Sequence, residues 1–281
     1  MKIIEIIGGL KDDEYLKDGK PFCKNCNTPR CFVSPDGQFA QRCLCECQAE
    51  KRERDIEAEE AEQSANEFKN RQKFSLLGSR YLNASFDTAD VTKNVHDGYE
   101  KCKAYAKNSR KMLEHNIGMY LCGSPSSGKT HLAACLCNEL VRQGHYCVYT
   151  NLSGILNEIK ATFGKGNELK ECDLLKKLAK FEFVFIDDLG KEFLGREYNS
   201  SSAKWAEKTL FEILNARYNE QLPTIFTSNY TIAELSSTLS LDEAIIERIS
   251  EMSTRVIKLN GDDFRAKSRS DKSDIAKDLG I

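Results

Sequence analysis

From about residue 76 onward the chain alternates short apolar runs with amphipathic stretches. The runs are GMYLC (118–122), YCVYT (146–150), EFVFI (182–186), TIFTS (224–228) and RVIKL (255–259), each of strand length. Between them, Leu132, Leu136 and Leu140 share one helical face, and Leu210, Leu214 and Tyr218 share another. Strands separated by helices predict an α/β domain, with a mostly parallel sheet covered on both sides. Residues 50–74 follow another pattern: strongly charged, free of Gly and Pro, with Glu50/Arg54 and Lys51/Asp55 at i,i+4. Ile56 is their one large aliphatic residue, so the spacing predicts an exposed connecting helix rather than a core element. Ser240 and Glu243, in S-x-x-E spacing, predict a helix start capped by Ser240. The polar segment after residue 265 is expected to fray.

These breaks divide the chain into residues 1–49, a connector 50–75, a main domain 76–265 and a tail 266–281. Composition adds little beyond this. Charged residues make up 30% and apolar ones 40%, and the net charge of −2 provides no global attraction to nucleic acid or acidic lipid. No run approaches the ~18–20 apolar residues of a membrane helix, and the start is interrupted by Glu5. The expectation is a cytoplasmic protein without a membrane partner.

The strongest chemical signal is GSPSSGKT, followed by His131, between an apolar strand and a helix. Gly123, Ser124, Pro125, Ser126, Ser127 and Gly128 supply a turn whose N–H groups face phosphates, with the helix start adding positive potential. Lys129 would reach the β- and γ-phosphates of ATP, and Thr130 would offer its hydroxyl to Mg²⁺. FVFIDDLGKE ends a buried strand in two acids: Asp187 for Mg²⁺ and Asp188 for polarising the attacking water. Glu192 could assist. Asn229, at the end of TIFTSN, could bond the γ-phosphate or the lytic water. Arg248 and Arg265 are the cationic candidates for the same phosphates. An arginine supplied to a neighbour's site is worth ~10³–10⁵ in rate.

The ordered set GSPSSGKT, FVFIDDLG, TIFTSN, IIERISEMS and NGDDFR resembles the AAA+ ATPases of the DnaC/DnaI helicase-loader type, over residues 76 to 265. The resemblance implies a five-stranded parallel sheet in the order 5-1-4-3-2, with Asn229 as sensor 1 between the phosphate loop and the acids. It makes Arg248 the arginine finger and Arg265 the sensor 2 arginine. It implies ATP hydrolysis, self-association through the ATP sites, and two further partners: a replicative hexameric helicase and single-stranded DNA. The related IstB-like transposition helpers, acting on a transposase and duplex DNA, are the alternative. For the DNA, residues 151–181 offer six Lys against four acids, together with Phe163 as a stacking candidate.

Six of the twelve cysteines fall within residues 23–47, five of them in CKNC and RCLCEC and the sixth, Cys31, between these motifs. In a reducing compartment such thiols read as metal ligands, and four thiolates make a closed structural Zn²⁺ site. We assign Cys23, Cys26, Cys45 and Cys47 to zinc, with Cys43 as the substitute and Cys31 outside the set. An iron–sulfur cluster and unbound thiols stay open as alternatives. Under the loader resemblance this segment docks on the helicase. Cys102, Cys122, Cys135, Cys137, Cys147 and Cys172 read as small core residues.

Overall fold

A computed structural model describes residues 3–35, 39–89, 92, 94–162, 176–194, 201–260, 263, 264, 266, 269, 270, 273 and 277. Arg265, Phe163 and Cys172 lie outside the described residues. Contacts group the chain into two units, Met1–Glu67 and Phe68–Ile281. No described helix is long and apolar enough to cross a membrane.

The first unit begins with a short helix α1 (Ile3–Ile6), followed by two antiparallel hairpins. β1 (Glu14–Lys17) pairs with β2 (Lys20–Cys23), and β3 (Cys31–Val33) pairs with β4 (Ala40–Arg42). Helix α2 (Glu46–Phe74) follows, starting four residues before the composition boundary and carrying no buried residue. Strands this short bury few large side chains, and polar contacts take over. The Glu14 carboxylate, only 2% exposed, accepts the Lys11 N–H (2.9 Å) and meets Arg42 (2.5 Å) and Arg30 (3.3 Å). Burial alone would raise its pKa, but the Lys11 N–H and the two guanidiniums outweigh that and hold it below the ordinary value. A depressed carboxylate stabilises the fold above its unfolded pKa of about 4.3, and that contribution is lost as pH falls through the folded value. Glu14→Gln is therefore expected to speed amide exchange in β1 and β4 at pH 7, with the difference from wild type closing below pH ~4. An unchanged gap at acid pH would mean the effect is one of shape rather than charge.

The second unit is built on five parallel strands: β5 (Met119–Gly123), β6 (Cys147–Asn151), β7 (Phe183–Leu189), β8 (Thr224–Ser228) and β9 (Arg255–Leu259). Their spatial order is β6-β7-β8-β5-β9, which is the expected 5-1-4-3-2 read from the other edge. Alternation along each strand fills two apolar layers. Met119, Leu121, Phe183, Phe185 and Ile225 face α5 (Lys129–Arg142), where Leu132, Leu136 and Leu140 are buried. Tyr120, Val148, Val184, Ile186 and Phe226 face the helices Ser201–Asn219 and Glu243–Met252. Each such side chain contributes ~1.5–3 kcal/mol on full burial. The described core cysteines (Cys102, Cys122, Cys135, Cys137 and Cys147) are buried as expected.

Helix Glu243–Met252 corrects the expected cap. Asp242, not Ser240, is its N-cap, accepting from the Ala244 N–H (2.8 Å), while Ser240 has a left-handed φ of 53°. The capping box lies instead at Thr231 and Glu234, opening Ile232–Ser237. A three-residue offset fits either pair; the chain turns before Asp242, so Asp242 reaches the free N–H first.

Arg217 is fully buried below the sheet. Its five N–H groups donate to Thr224 Oγ1 (2.9 Å) and to the carbonyls of Leu178 (2.9 Å), Phe181 (2.8 Å), Glu182 (3.3 Å) and Pro223 (2.6 Å). Burial pushes its pKa down to about 9.

Candidate nucleotide and metal sites

The phosphate loop joins β5 to α5. Gly123 adopts φ 147°, and a Cβ there would lie 2.0 Å from the Leu259 carbonyl oxygen, so the close approach of β9 excludes any side chain. The Lys129 ammonium is held within the loop by the carbonyls of Gly123 (3.0 Å) and Ser124 (2.8 Å). The loop thus runs straight into the start of α5, where the helix dipole favours an anion.

The strand order brings the expected acids to this loop. Thr130 Oγ1 donates to Asp187 Oδ1 at 3.2 Å, so the two candidate Mg²⁺ ligands are adjacent. Burial raises the Asp187 pKa, and Asp188 adds to this, while bonds from Thr227, Tyr149 and Thr130 oppose it. β7 loses register between Ile186 and Leu189, and Asp188 takes φ 53°, a conformation Asp tolerates better than most residues. That bulge aims Asp188 into the cavity, 3.7 Å from Lys191.

Thr227 is a residue that sequence reasoning missed. Its hydroxyl donates to Asp187 Oδ1 (2.5 Å) and accepts the Asp188 N–H (2.9 Å), tying both acids to β8. It sits two positions before Asn229 in TIFTSN, in a strand buried at every position, so alternation did not single it out. Asn229 follows β8, between the loop strand and the acid strand, and lines the same cavity as Asp188 and Lys129. Glu192 faces elsewhere: it accepts the Ser153 N–H (3.0 Å) and hydroxyl (3.1 Å), capping α6 (Leu152–Thr162).

The cavity holds about 490 Å³, a size suited to a nucleotide. Its remaining wall includes Arg80, Tyr81, Val95, Tyr99 and His131, together with Leu259 and Phe264, which abut the loop at Gly123 and Ser126. Burial, and then the Arg80 charge, lower the His131 pKa. The segment carrying Tyr81 is stitched to the domain by Asn138, whose amide donates to the carbonyls of Tyr81 and Ala84 at 2.8 Å each. Polar backbone contacts of this kind have no periodic signature, so this wall was invisible in the sequence. Arg248 lies outside this cavity. It is held by Glu251 (2.9 Å) and Asn215 (3.3 Å), with its guanidinium 3.7 Å from the Tyr218 ring centroid.

The second site is in residues 1–67. The sulfurs of Cys23, Cys26, Cys45 and Cys47 all lie within 4.8 Å of one another, with Cys45–Cys47 at 3.3 Å and Cys23–Cys47 at 3.7 Å. A tetrahedral site with Zn–S near 2.3 Å sets sulfurs about 3.8 Å apart, so the four thiols fit this ion. The pairs come from different elements. Cys23 ends β2 with Cys26 in the following turn, and Cys45 precedes α2 with Cys47 in its first turn. The Cys47 N–H and the Thr28 hydroxyl hold the Cys26 thiol down to about 6, favouring the thiolate that binds metal. Arg30, buried, adds a bond to Cys45 Sγ at 3.3 Å. Cys43 is exposed beside the Pro29 carbonyl, and Cys31 is buried opposite Arg42, both outside the group.

Fold and nucleotide site together define a P-loop ATPase of the AAA+ type. Residues 56–272 match the family model described as IstB-like ATP binding protein, and the chain belongs to that family. It is 31% identical over 175 residues to the uncharacterized protein YqaM of Bacillus subtilis, covering 62% of this chain and 52% of that one. The match thus spans about half the length of that relative. Replicative helicase loader DnaC of Escherichia coli (strain K12) is 25% identical over 197 residues, covering 69% of this chain and 75% of DnaC. Among solved structures, the DnaC helicase loader superposes with a TM-score of 0.53 at 27% identity, covering 64% of this chain and all of that one.

Proposed function

We propose that this chain is an ATP-dependent loader of a replicative DNA helicase. In this reading residues 1–67 hold Zn²⁺ and grip the helicase. The second unit binds ATP and single-stranded DNA and self-associates through its ATP sites. The observation that supports it best is the pairing of a DnaC-like ATPase unit with a separate four-cysteine cluster in front of it.

At the ATP site Lys129 and the loop N–H groups would bind the phosphates, while Thr130 and Asp187 would hold Mg²⁺. The ion neutralises charge on the β- and γ-phosphates. Asp188, held by the β7 bulge, would orient the attacking water, and Asn229 would contact the γ-phosphate. Arg248, already fixed by Tyr218, Asn215 and Glu251, would serve a neighbour's ATP; Arg265 is proposed as its counterpart in the same subunit. The sulfurs would hold zinc as a structural ion, giving the hairpins the order their small core does not.

Size-exclusion with the candidate helicase, with and without ATP, tests the reading on a sample whose zinc is measured. The expected result is an ATP-dependent complex that Lys129→Ala abolishes, with hydrolysis lowered by ~10²-fold or more. Absence of any complex with ATP and zinc present would overturn it. The family description and the uncharacterized relative YqaM favour one rival, an IstB-like transposition helper acting on a transposase and duplex DNA. Preference for duplex over single strands, with the cysteines dispensable, would select that rival.

A further inference from the structure

We infer that an exposed ridge of Lys103, Lys107, Arg110 and Lys111 tracks the phosphates of single-stranded DNA, a contact separate from the lysines of residues 151–181. The inference rests on the loader reading above and adds the place where the strand is held.

The ridge lies on α3 (His96–Lys107) and α4 (Ser109–Glu114). Between residues 101 and 111 the chain has five cations and no acid, in a protein whose net charge is −2. The cause of their common direction is packing. Gly98, Cys102, Tyr105 and Ser109 form the buried stripe, with the Tyr105 hydroxyl bonded to the Ile117 carbonyl at 2.6 Å. Residues 103 and 107 fall ~130–170° around α3 from its buried stripe, at ~100° per residue, residues 110 and 111 follow on α4, and all four are exposed. α3 and α4 meet at Asn108, which caps both and leaves the helical range at φ −108° and ψ 23°, so the ridge is carried by two helices joined at a one-residue break.

Among the described residues the charges of the ridge are not offset by ion pairs, and Lys103 lies over the Tyr99 ring. Asp97 takes Lys101 at 2.6 Å, leaving the ridge proper, and Glu100 and Glu114 stand at its two ends. Among the described residues, no carboxylate lies within ion-pair distance of Lys103, Lys107, Arg110 or Lys111. At a rise of ~1.5 Å per residue, the step from 103 to 107 is ~6 Å and the whole ridge spans ~12 Å. A stacked strand advances ~3.4 Å per nucleotide, so the ridge would accompany three to four nucleotides. With cations and no stacking aromatic among the four, it would read backbone charge rather than sequence.

The ridge also adjoins the nucleotide cavity. Val95 and Tyr99, at the start of α3, line that cavity, and the Lys103 ammonium sits 5.7 Å from the Tyr99 ring centroid. A nucleotide resting on Tyr99 would therefore set the position of the first cation of the ridge.

Anisotropy of a labelled oligothymidylate, titrated over a salt series with ATP present, provides the test. Lys103, Lys107, Arg110 and Lys111 are replaced together by Ala, and a second variant replaces Lys160, Lys176, Lys177 and Lys180. Each phosphate contact contributes ~0.7 to the slope of log affinity against log salt, so the ridge variant is expected to lose about 2–3 units of slope. It is also expected to bind about tenfold or more weakly at low salt. The second variant should retain most of the slope. Melting temperature and nucleotide affinity, unchanged in the ridge variant, would show that the fold is intact. Wild-type affinity and slope in the ridge variant would overturn the inference and leave the loader reading standing. Failure of the wild-type protein to bind the oligonucleotide at all would remove the loader reading itself. If the ridge variant kept the oligonucleotide but lost the helicase, the ridge would be a seat for an acidic protein surface, and the inference would fall.

Discussion

If the four sulfurs hold zinc as proposed, a chelator is expected to unfold strands β1–β4 while nucleotide affinity stays at its starting value. Among the described residues the first unit buries Pro21, Cys23, Cys31, Ala40 and Cys45 as apolar side chains, too small a set to repay the ordering of two hairpins. Closed four-thiolate sites carry ~10–16 kcal/mol of apparent binding free energy in zinc-finger peptides, more than most whole domains have in reserve. Cys45→Ala should reproduce the effect, because Cys45 is also the sulfur that Arg30 bonds. Hydrogen exchange resolved by peptide separates the outcomes. Protection lost across β1–β4 and kept across β5–β9 supports a structural ion; full protection in the chelated protein would remove the metal from the account of this unit.

The second large effect is expected at Arg217. Replacing it with Met keeps much of the stem but removes every donor to four carbonyls and one hydroxyl. Buried acceptors stranded in this way cost ~1–3 kcal/mol apiece, although relaxation keeps the total below a simple addition. A loss of about 3–5 kcal/mol is expected, enough to bring a domain of ordinary stability near its threshold. Urea titration measures it, and a change under ~1 kcal/mol would mean that water reaches those carbonyls. Arg217→Lys should recover little, since an ammonium cannot span five acceptors on two segments.

What could be read in advance divides along physical lines. The strands declared themselves through apolar runs, and β8 and β9 occupy the expected residues, because buried parallel strands need continuous hydrophobic sequence. The phosphate loop was legible because its chemistry forces local spacing. The four sulfurs brought together are the four assigned in advance, drawn from two pairs about twenty residues apart. Thr227, Arg217 and the Arg80–Tyr99 wall were not legible. Their roles depend on partners 36 to 57 positions away, or on carbonyls that carry no residue identity. The Ser240 cap failed for the opposite reason, since a short motif recurs by chance and only the turn before Asp242 decides which residue is used.

One hydroxyl on β8 grips the carboxylate of Asp187 and the backbone of Asp188 together, and Asn229 directly follows the same strand. A tug on that amide would therefore be felt by both acids at once, as by two bells on a single rope. Such a site would commit or let go in one movement, better built as a timer than as a graded dial.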